Sequence, residues 1–409
     1  MNYVCELIEA SKSGDLNKID YLVKNNVNIN YVDASGWNAL MYSSIRGFKH
    51  IVIYLLQHQA CIYIRDNDKW NVLMIASLSY QKEIIDIILD HEYNEFNANL
   101  RGLNNNNFKS ALINNRDIYG RNILMYACKE NNLDFIDFLL KKKIIIDINE
   151  KDMYGHTSVM FACFRGNINV IKLLLTYNVA LNIKNYDGET LLMVASMQGF
   201  IDIVQLLLNN GAHINNKDND GNTALIHAIK GGYINIVELL LNNNSFINDK
   251  NVKGMTPLMY ACIYAKNYDI VKLLLNKDSK INIQDNDGRN ALMYACINNN
   301  ENIIELLLNN GANIYMKEYI YRESVLVYSV IQRNIHINII KLLLIYGGNI
   351  NEVYENRTFM YNFPLINDKK DLLIKWPFYI GIILFKHLRI YHELDAMTLI
   401  DLWEYTERK

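Results

Sequence analysis

Proline is nearly absent from this chain, with three in 409 residues. Asn, Ile, Lys and Tyr are abundant instead, a bias expected of an AT-rich genome such as those of some bacteria, protists and large DNA viruses. An excess of charge of one sign is missing too. Basic and acidic residues interleave to a formal net charge of −2, and no basic stripe stands out along the chain, which argues against nucleic acid as a partner. The opening residues, Met1-Asn2-Tyr3-Val4-Cys5-Glu6, have neither the basic region nor the apolar core of a signal peptide. The longest apolar run, Trp376 to Phe385, is far short of a membrane span. These absences lead to the expectation of a soluble, intracellular protein, in the cytoplasm of its own or a host cell.

Recognisable chemistry is lacking as well. The nine histidines are scattered without metal-ligand spacing. No glycine-rich phosphate loop follows a strand, and no Ser–His–Asp or Cys–His arrangement can be argued. The expectation is therefore no catalytic residue, no cofactor, no metal and no enzyme.

What the chain has is a period. Asp-Asn-Asp-Gly occurs at 218–221 and again at 285–288. Gly36, Gly120, Gly155, Gly188, Gly221, Gly254 and Gly288 each close such a turn, and Lys69 and Arg322 hold the same place in two weaker copies. From Gly155 onward the spacings are 33, 33, 33, 34 and 34 residues, a period that marks a solenoid. One copy shows the grammar: Asp187-Gly188, Thr190, Leu191-Leu192-Met193-Val194-Ala195, Gly199, Ile203-Val204, Leu206-Leu207-Leu208, Asn210-Gly211-Ala212, Ile214-Asn215. The turn supplies side-chain oxygens and a left-handed glycine. Thr157, Thr190, Thr223 and Thr256 stand where a helix should begin and can cap it, and Pro257 sits at a favoured first helical position. Gly47, Gly166, Gly199 and Gly232 should break the first helix. The second helix has apolar residues at i, i+3 and i+4 and ends at a left-handed glycine such as Gly211 or Gly311.

Gly254-Met255-Thr256-Pro257-Leu258-Met259-Tyr260-Ala261, with the Ile203–Asn215 segment, resembles the ankyrin repeat family. The resemblance implies an all-α ankyrin-repeat solenoid over 1–351, of about ten helix-turn-helix units with short hairpin-like turns. The units fall near 2–32, 33–65, 66–92, 117–151, 152–184, 185–217, 218–250, 251–284, 285–318 and 319–351. The family's Thr-Pro-Leu-His tetrapeptide is nowhere complete. Methionine takes the His position in most units, from Met41 to Met293, and Asn38, Asn71, Asn122 and Asn290 replace the threonine. Losing the Thr–His bonds should soften the array.

Cys128, Cys163, Cys262 and Cys296 share one repeat position, where other units have Ser44, Ser77 and Ser196. That slot asks for a small residue, so these cysteines read as buried filler. Equivalent sites should lie about 10 Å apart, the spacing of packed helices, beyond the ~7 Å reach of a disulfide.

Two stretches break the period. Lys69 to Gly120 is 51 residues, and the excess within His91–Asn114 includes four consecutive asparagines at 104–107. This insertion, 91–114, is expected to be a mobile surface loop, either tolerated or a binding excursion. After Asn351 a polar connector (352–370) leads to a small helical region over 371–409. There, Pro377, Ile380, Ile383, Leu384 and Leu388 follow a pattern similar to the start of an F-box, as in the PRANC segment that ends many poxvirus ankyrin proteins. The segment is either a cap on the apolar end of the solenoid or an adaptor-binding element of a ubiquitin ligase; the two can coexist.

The ankyrin resemblance also implies a partner surface, built from turn tips and the exposed ends of first helices on a concave face. Candidate residues are Trp37, Trp70, Arg46, Arg121, His156, Phe164, Arg165, Met197, Tyr264 and Arg289. Trp37 and Trp70 hold the same place in adjacent repeats and form either a hot spot or a structural stack. A second series, Tyr42, Tyr126, Phe161, Tyr260, Tyr294 and Tyr328, should pack between repeats with its hydroxyls reaching water. His227 stands in the same series and reads as a packed helix residue. The expected protein is a monomeric, non-enzymatic interaction scaffold with a protein partner; the alternative is a substrate receptor of an F-box-type ubiquitin ligase, recruited through 371–405.

Overall fold

The computed structural model describes residues 3–79, 81–99, 110–141, 147–264, 267–331 and 337–349. The connector 352–370 and the tail 371–409, with Pro377, Ile380, Ile383, Leu384 and Leu388, lie outside the described residues. The chain divides into two compact bodies, 1–246 and 247–409.

The first body contains seven helix pairs: α1 Tyr3–Ser13 with α2 Leu16–Lys24, α3 Ala39–Ile45 with α4 Lys49–Gln57, α5 Val72–Leu78 with α6 Lys82–Asn99, α7 Ile123–Lys129 with α8 Leu133–Lys141, α9 Ser158–Phe164 with α10 Ile168–Thr176, α11 Leu191–Gln198 with α12 Ile201–Asn209, and α13 Ala224–Gly231 with α14 Ile234–Asn242. The second body contributes α15 Pro257–Ile263 with α16 Tyr268–Asn276, α17 Ala291–Ile297 with α18 Glu301–Asn309, and α19 Val325–Ile331 with α20 Ile337–Ile345. Each pair matches one unit of the sequence period. None of these helices is long and apolar enough to cross a membrane.

The first helix of most pairs has only 7 or 8 residues, too few to persist alone in water. Stacking on both neighbours within the body supplies what propensity cannot. In α11 every residue from Leu191 to Ser196 is buried. The second helix buries only one face, as with Ile203, Val204 and Leu207 in α12. Cys128, Cys163, Cys262 and Cys296 are buried free thiols. Burial pushes Cys163 and Cys296 up to about 12, and Cys128 and Cys262 also upward, so these thiols stay protonated and unreactive.

The asparagine substitutions improve the caps. Asn38, Asn71, Asn122 and Asn290 each accept the backbone N–H three residues on, at 2.9, 2.9, 3.0 and 3.0 Å. Thr190 and Thr256 make the same bond at a longer 3.4 Å. In those two repeats the methionine sulfur accepts the threonine N–H, also at 3.4 Å, so part of the lost Thr–His bonding is replaced. Asparagine also joins repeats. Asn30, Asn149, Asn182 and Asn215 accept the N–H of Cys61, Ala180, His213 and Phe246 in the following repeat, at 2.8 to 2.9 Å. Asn248 and Asn282 do so in the second body, both at 2.7 Å. The Asn content, attributed above to genome bias, thus carries structural bonds.

The left-handed sites confirm the register. Lys69 (φ 64°) and Arg322 (φ 59°) adopt the backbone that their repeat-mates assign to glycine. The two ends of the insertion are held in place, while residues 100–109, with the four asparagines, lie outside the described residues. Its first nine residues continue α6 to Asn99. Glu92 is buried, accepting the Ser110 hydroxyl at 2.5 Å and the Leu112 N–H at 3.0 Å. A buried carboxylate satisfied in this way anchors the returning strand of the insertion.

Candidate partner-binding surface

Each repeat begins with a finger. In the first complete one, the Asp33 N–H donates to the Trp37 carbonyl at 2.9 Å and the Gly36 N–H to the Asp33 carbonyl at 2.9 Å. Asp33 Oδ1 accepts from the Ser35 and Trp37 N–H groups at 2.9 and 3.0 Å. One carboxylate oxygen therefore closes the turn. The other faces the helix. Asp33 Oδ2 accepts from the Tyr42 hydroxyl at 2.6 Å, nine residues on. The same bond joins Tyr126 to Asp117 at 2.7 Å and Tyr294 to Asp285 at 2.6 Å. His227 Nε2 lies 2.9 Å from Asp218 Oδ2 in its repeat, and Asn251 Nδ2 donates to the Tyr260 hydroxyl at 2.9 Å. These polar tips bind the fingers; the expectation that the hydroxyls reach water is corrected. Burial first, then the bond to Asp33, pushes Tyr42 up to about 12; Tyr126 and Tyr294 are raised for the same reasons. Burial acts upward on Asp33, but the bonds from Tyr42, Trp37 and Ser35 outweigh it and hold the carboxyl below its usual range.

Adjacent fingers are laced by main chain. The N–H of Ile118, Met153, Tyr186 and Asn219 donates to the carbonyl of Asp68, Tyr119, Tyr154 and Asp187, at 3.0, 2.9, 3.0 and 3.0 Å. The nesting is close. A Cβ on Gly155 (φ 80°) would sit 2.6 Å from the Tyr186 nitrogen, so glycine is needed there for both conformation and room.

The candidate residues fall on this frame as follows. Trp37 is half-buried, packs on Tyr42 with ring centroids 5.0 Å apart, and donates its indole N–H to Asp66 Oδ2 at 3.0 Å. Trp70 is half-buried against Tyr126 of the next repeat, 4.4 Å between centroids. Each tryptophan thus packs on a tyrosine. The Arg121 guanidinium lies 4.5 Å from the Tyr119 ring and 5.8 Å from Phe161. His156 meets Phe164 edge-on at 5.1 Å and Phe161 at 6.0 Å. Arg121, Phe161, His156 and Phe164 are therefore linked by ring contacts across two repeats, while Trp70 contacts Tyr126. Arg46, Arg165 and Met197 are exposed helix-end residues. In the second body Tyr264 is exposed, and Arg289 pairs with Asp287 6.0 Å from the Tyr294 ring. Among the described residues no group of three His, Cys, Asp or Glu side chains is placed to hold a metal ion.

Two features escaped the sequence reading. The residues just before the finger glycine are the true tips. Ile118, Tyr119, Met153, Tyr154 and Tyr186 are 41, 39, 53, 47 and 62 % exposed. The other feature is a basic line. Arg65, Arg116, Lys151, Lys184 and Lys217 recur just ahead of the turn Asp or Asn, as do Lys250 ahead of Asn251 and Lys317 ahead of Glu318 in the second body. Lys151 Nζ donates to the Lys184 carbonyl at 2.7 Å and Lys184 Nζ to the Lys217 carbonyl at 2.6 Å. A basic stripe exists after all, hidden by its 33-residue spacing.

Family models agree with the geometry. A model described as "Ankyrin repeats (3 copies)" matches residues 7–101, 143–218, 215–285 and 266–354, and one described as "Ankyrin repeat" matches 119–150. No curated protein matches the sequence. Among solved structures, the human ASB11 ankyrin repeat domain is similar at 25 % identity and a TM-score of 0.49, covering 56 % of this chain and 99 % of that one. Finger, cap and helix pair recur in both bodies, and the matched segments take in most of the sequence; the chain belongs to the ankyrin repeat family.

Proposed function

We propose that this chain is a non-enzymatic scaffold that holds a protein partner against its fingers and the exposed ends of its first helices. The observation that carries this reading is a pair of contacts between consecutive repeats made by half-buried side chains, Trp70 on Tyr126 and Arg121 on Phe161, the second continued through His156 to Phe164. Aromatic and arginine side chains fixed by packing lose little entropy on binding and dominate protein interfaces. Affinity purification with mass spectrometry from cells tests it, comparing the full chain with Trp70→Ala and with Trp37→Ala/Trp70→Ala. Loss of Trp37 also removes a bond to Asp66, so Trp70→Ala is the cleaner variant. Recovery of the main partner should fall about tenfold while circular dichroism stays unchanged. Unchanged recovery would sink the assignment. The adaptor-recruiting role of 371–405 rests on its sequence pattern alone, and deleting 371–409 separates it from the scaffold role, since only recruitment of a ligase adaptor should be lost.

A further inference from the structure

Within the first body the exposed apolar tip side chains fall on three consecutive fingers; in the second body Val252, Tyr319, Ile320 and Tyr321 are exposed at tips as well. On the fingers before them the tips are Ala34-Ser35 and Asn67-Asp68, and on the finger after them Asn219-Asp220. Between these lie three consecutive fingers whose tips are Ile118-Tyr119, Met153-Tyr154 and Tyr186-Asp187. The N–H groups of Ile118, Met153 and Tyr186 donate to the preceding finger through main-chain atoms, and the side-chain bonds between fingers come from polar residues, Lys151 to the Lys184 carbonyl and Asn219 to the Tyr186 carbonyl, both at 2.7 Å, so no finger bond requires an apolar side chain at these tips. A contiguous apolar ridge rimmed by polar residues marks a contact surface.

Four basic side chains, Arg116, Arg121, Lys151 and Lys184, stand beside the ridge, against the acidic Glu150, Asp187 and Glu189. Arg121 lies over the Tyr119 ring, and Lys151 Nζ is 5.7 Å from the Tyr186 centroid. Lys151 and Lys184 donate to carbonyl oxygens, not carboxylates. Each ammonium has three donors, so each keeps donors for a ligand. Arg116 is the exception, paired with Glu150. The turn carboxylates of these fingers, Asp117 and Asp152, are buried. Asp187 is the one acidic residue among the six tip positions.

We infer that the ridge Ile118–Tyr119–Met153–Tyr154–Tyr186 binds an extended segment of another protein in which acidic residues flank apolar ones. Its apolar side chains cover the ring faces and Met153, while its carboxylates meet Lys151, Lys184 and Arg121. A partly shielded ammonium beside an aromatic face favours such carboxylates. Single-stranded nucleic acid is the weaker fit. Ile118 and Met153 offer no face for base stacking, and the chain's net charge of −2 gives no general attraction for phosphate. The inference rests on the proposed scaffold function and names the partner's chemistry at its fingers.

The test pans a random-peptide display library on the full chain and, in parallel, on Tyr119→Ser/Tyr154→Ser/Tyr186→Ser. The most enriched peptide is then labelled and titrated by fluorescence anisotropy, beside a labelled oligo-dT. A charge variant, Lys151→Gln/Lys184→Gln, needs no loss of structure, because Gln284 already makes the corresponding bond to the Lys317 carbonyl at 2.9 Å. The expected peptides combine Asp or Glu with Leu, Phe or Trp. Their affinity should fall about tenfold or more in the serine variant and about threefold in the glutamine variant, with a shallower salt dependence. Basic or uncharged winners, equal binding to the serine variant, or tighter binding of oligo-dT would overturn the inference. Trp70→Ala separates the two readings. Binding lost with Trp70→Ala but kept by the serine variant overturns the ridge and keeps the tryptophan site, and the reverse keeps the ridge alone.

Discussion

Phe161 breaks the Asp–Tyr pattern in one repeat, which makes it the place to measure what that bond is worth. Asp152 Oδ2 is buried and has no hydrogen-bond partner among the described residues; His156 Nδ1, at 3.4 Å, does not complete one. Phe161 stands nine residues beyond Asp152, where Tyr42, Tyr126 and Tyr294 deliver a hydroxyl at 2.6 to 2.7 Å. Phe161→Tyr should place an O–H against the unpartnered oxygen. A hydrogen bond to a charged group contributes ~1.5–3 kcal/mol. The ring is already held edge-on by His156 and Phe164, so little side-chain entropy opposes the gain. Phe161 is half-buried, and partial solvation trims the expected stabilisation to about 1–2 kcal/mol. The reverse change, Tyr294→Phe, leaves the buried Asp285 oxygen without its donor and should cost about 1.5–3 kcal/mol. Solenoids need not unfold in one step, so urea unfolding should be joined to native-state hydrogen exchange in α9 and α17. If Phe161→Tyr leaves exchange in α9 unchanged or faster, the bond does not stabilise the finger and the reasoning fails.

Four further outcomes are expected. Lys69→Gly should raise the urea midpoint by about 0.5–1 kcal/mol, because lysine at φ 64° carries strain that glycine lacks. Gly155→Ala should cost about 2 kcal/mol or more, from φ 80° and the 2.6 Å approach to Tyr186; equal midpoints for the two variants would refute both. Stability should decline between pH 10 and 12, measured as the urea midpoint. Burial and the bonds to Asp33 and Asp20 raise Tyr42 and Tyr54 to about 12, above the unfolded value of 10.0. Their contribution is therefore complete below pH 10 and lost as pH rises through the folded values. A flat profile there would contradict the Asp–Tyr bonds. Glu92→Ala should release the Ser110 hydroxyl and the Leu112 N–H, a local loss of about 2 kcal/mol. Faster hydrogen exchange over 110–115, with α9 unchanged, is the expected readout, and unaltered exchange at Leu112 would disprove the anchor.

The period made the helix pairs legible because glycine, small and apolar residues each answer a local demand that recurs in every repeat. Even the irregular Lys69 and Arg322 could be placed, since register alone predicts their left-handed backbone. The insertion was less legible. Its asparagines lie outside the described residues, and at its ends Glu92 finds its partners 18 and 20 residues away, a distance at which composition gives no guide. Periodicity shows that a position recurs, not which way its side chain points. Tyr42 was assigned to water because nothing local shows that Asp33 turns one oxygen toward it. Once the register is known, the rule can be read: an Asp opening the turn, with Tyr or His nine residues on.

Lysine and tip residues escaped notice for a different reason. Read linearly, Lys151 and Lys184 are isolated charges 33 residues apart, and only stacking the repeats brings them into line. Tyr119, Met153, Tyr154 and Tyr186 look like ordinary loop composition until Ile118, Met153 and Tyr186 are seen to bond the preceding finger through main-chain atoms. Any residue but proline can supply such an N–H and carbonyl. The first-helix slot admits only small residues and the turn requires an oxygen acceptor, whereas the side-chain bonds made at the tips are those of an asparagine amide to the preceding finger's carbonyl, at Asn67, Asn219 and Asn286. A run of exposed tyrosine, methionine and isoleucine at those positions therefore cannot be credited to folding, which gains nothing from leaving them in water. That is the physical ground for seeking a contact at the tips in addition to the one at the better-packed tryptophans.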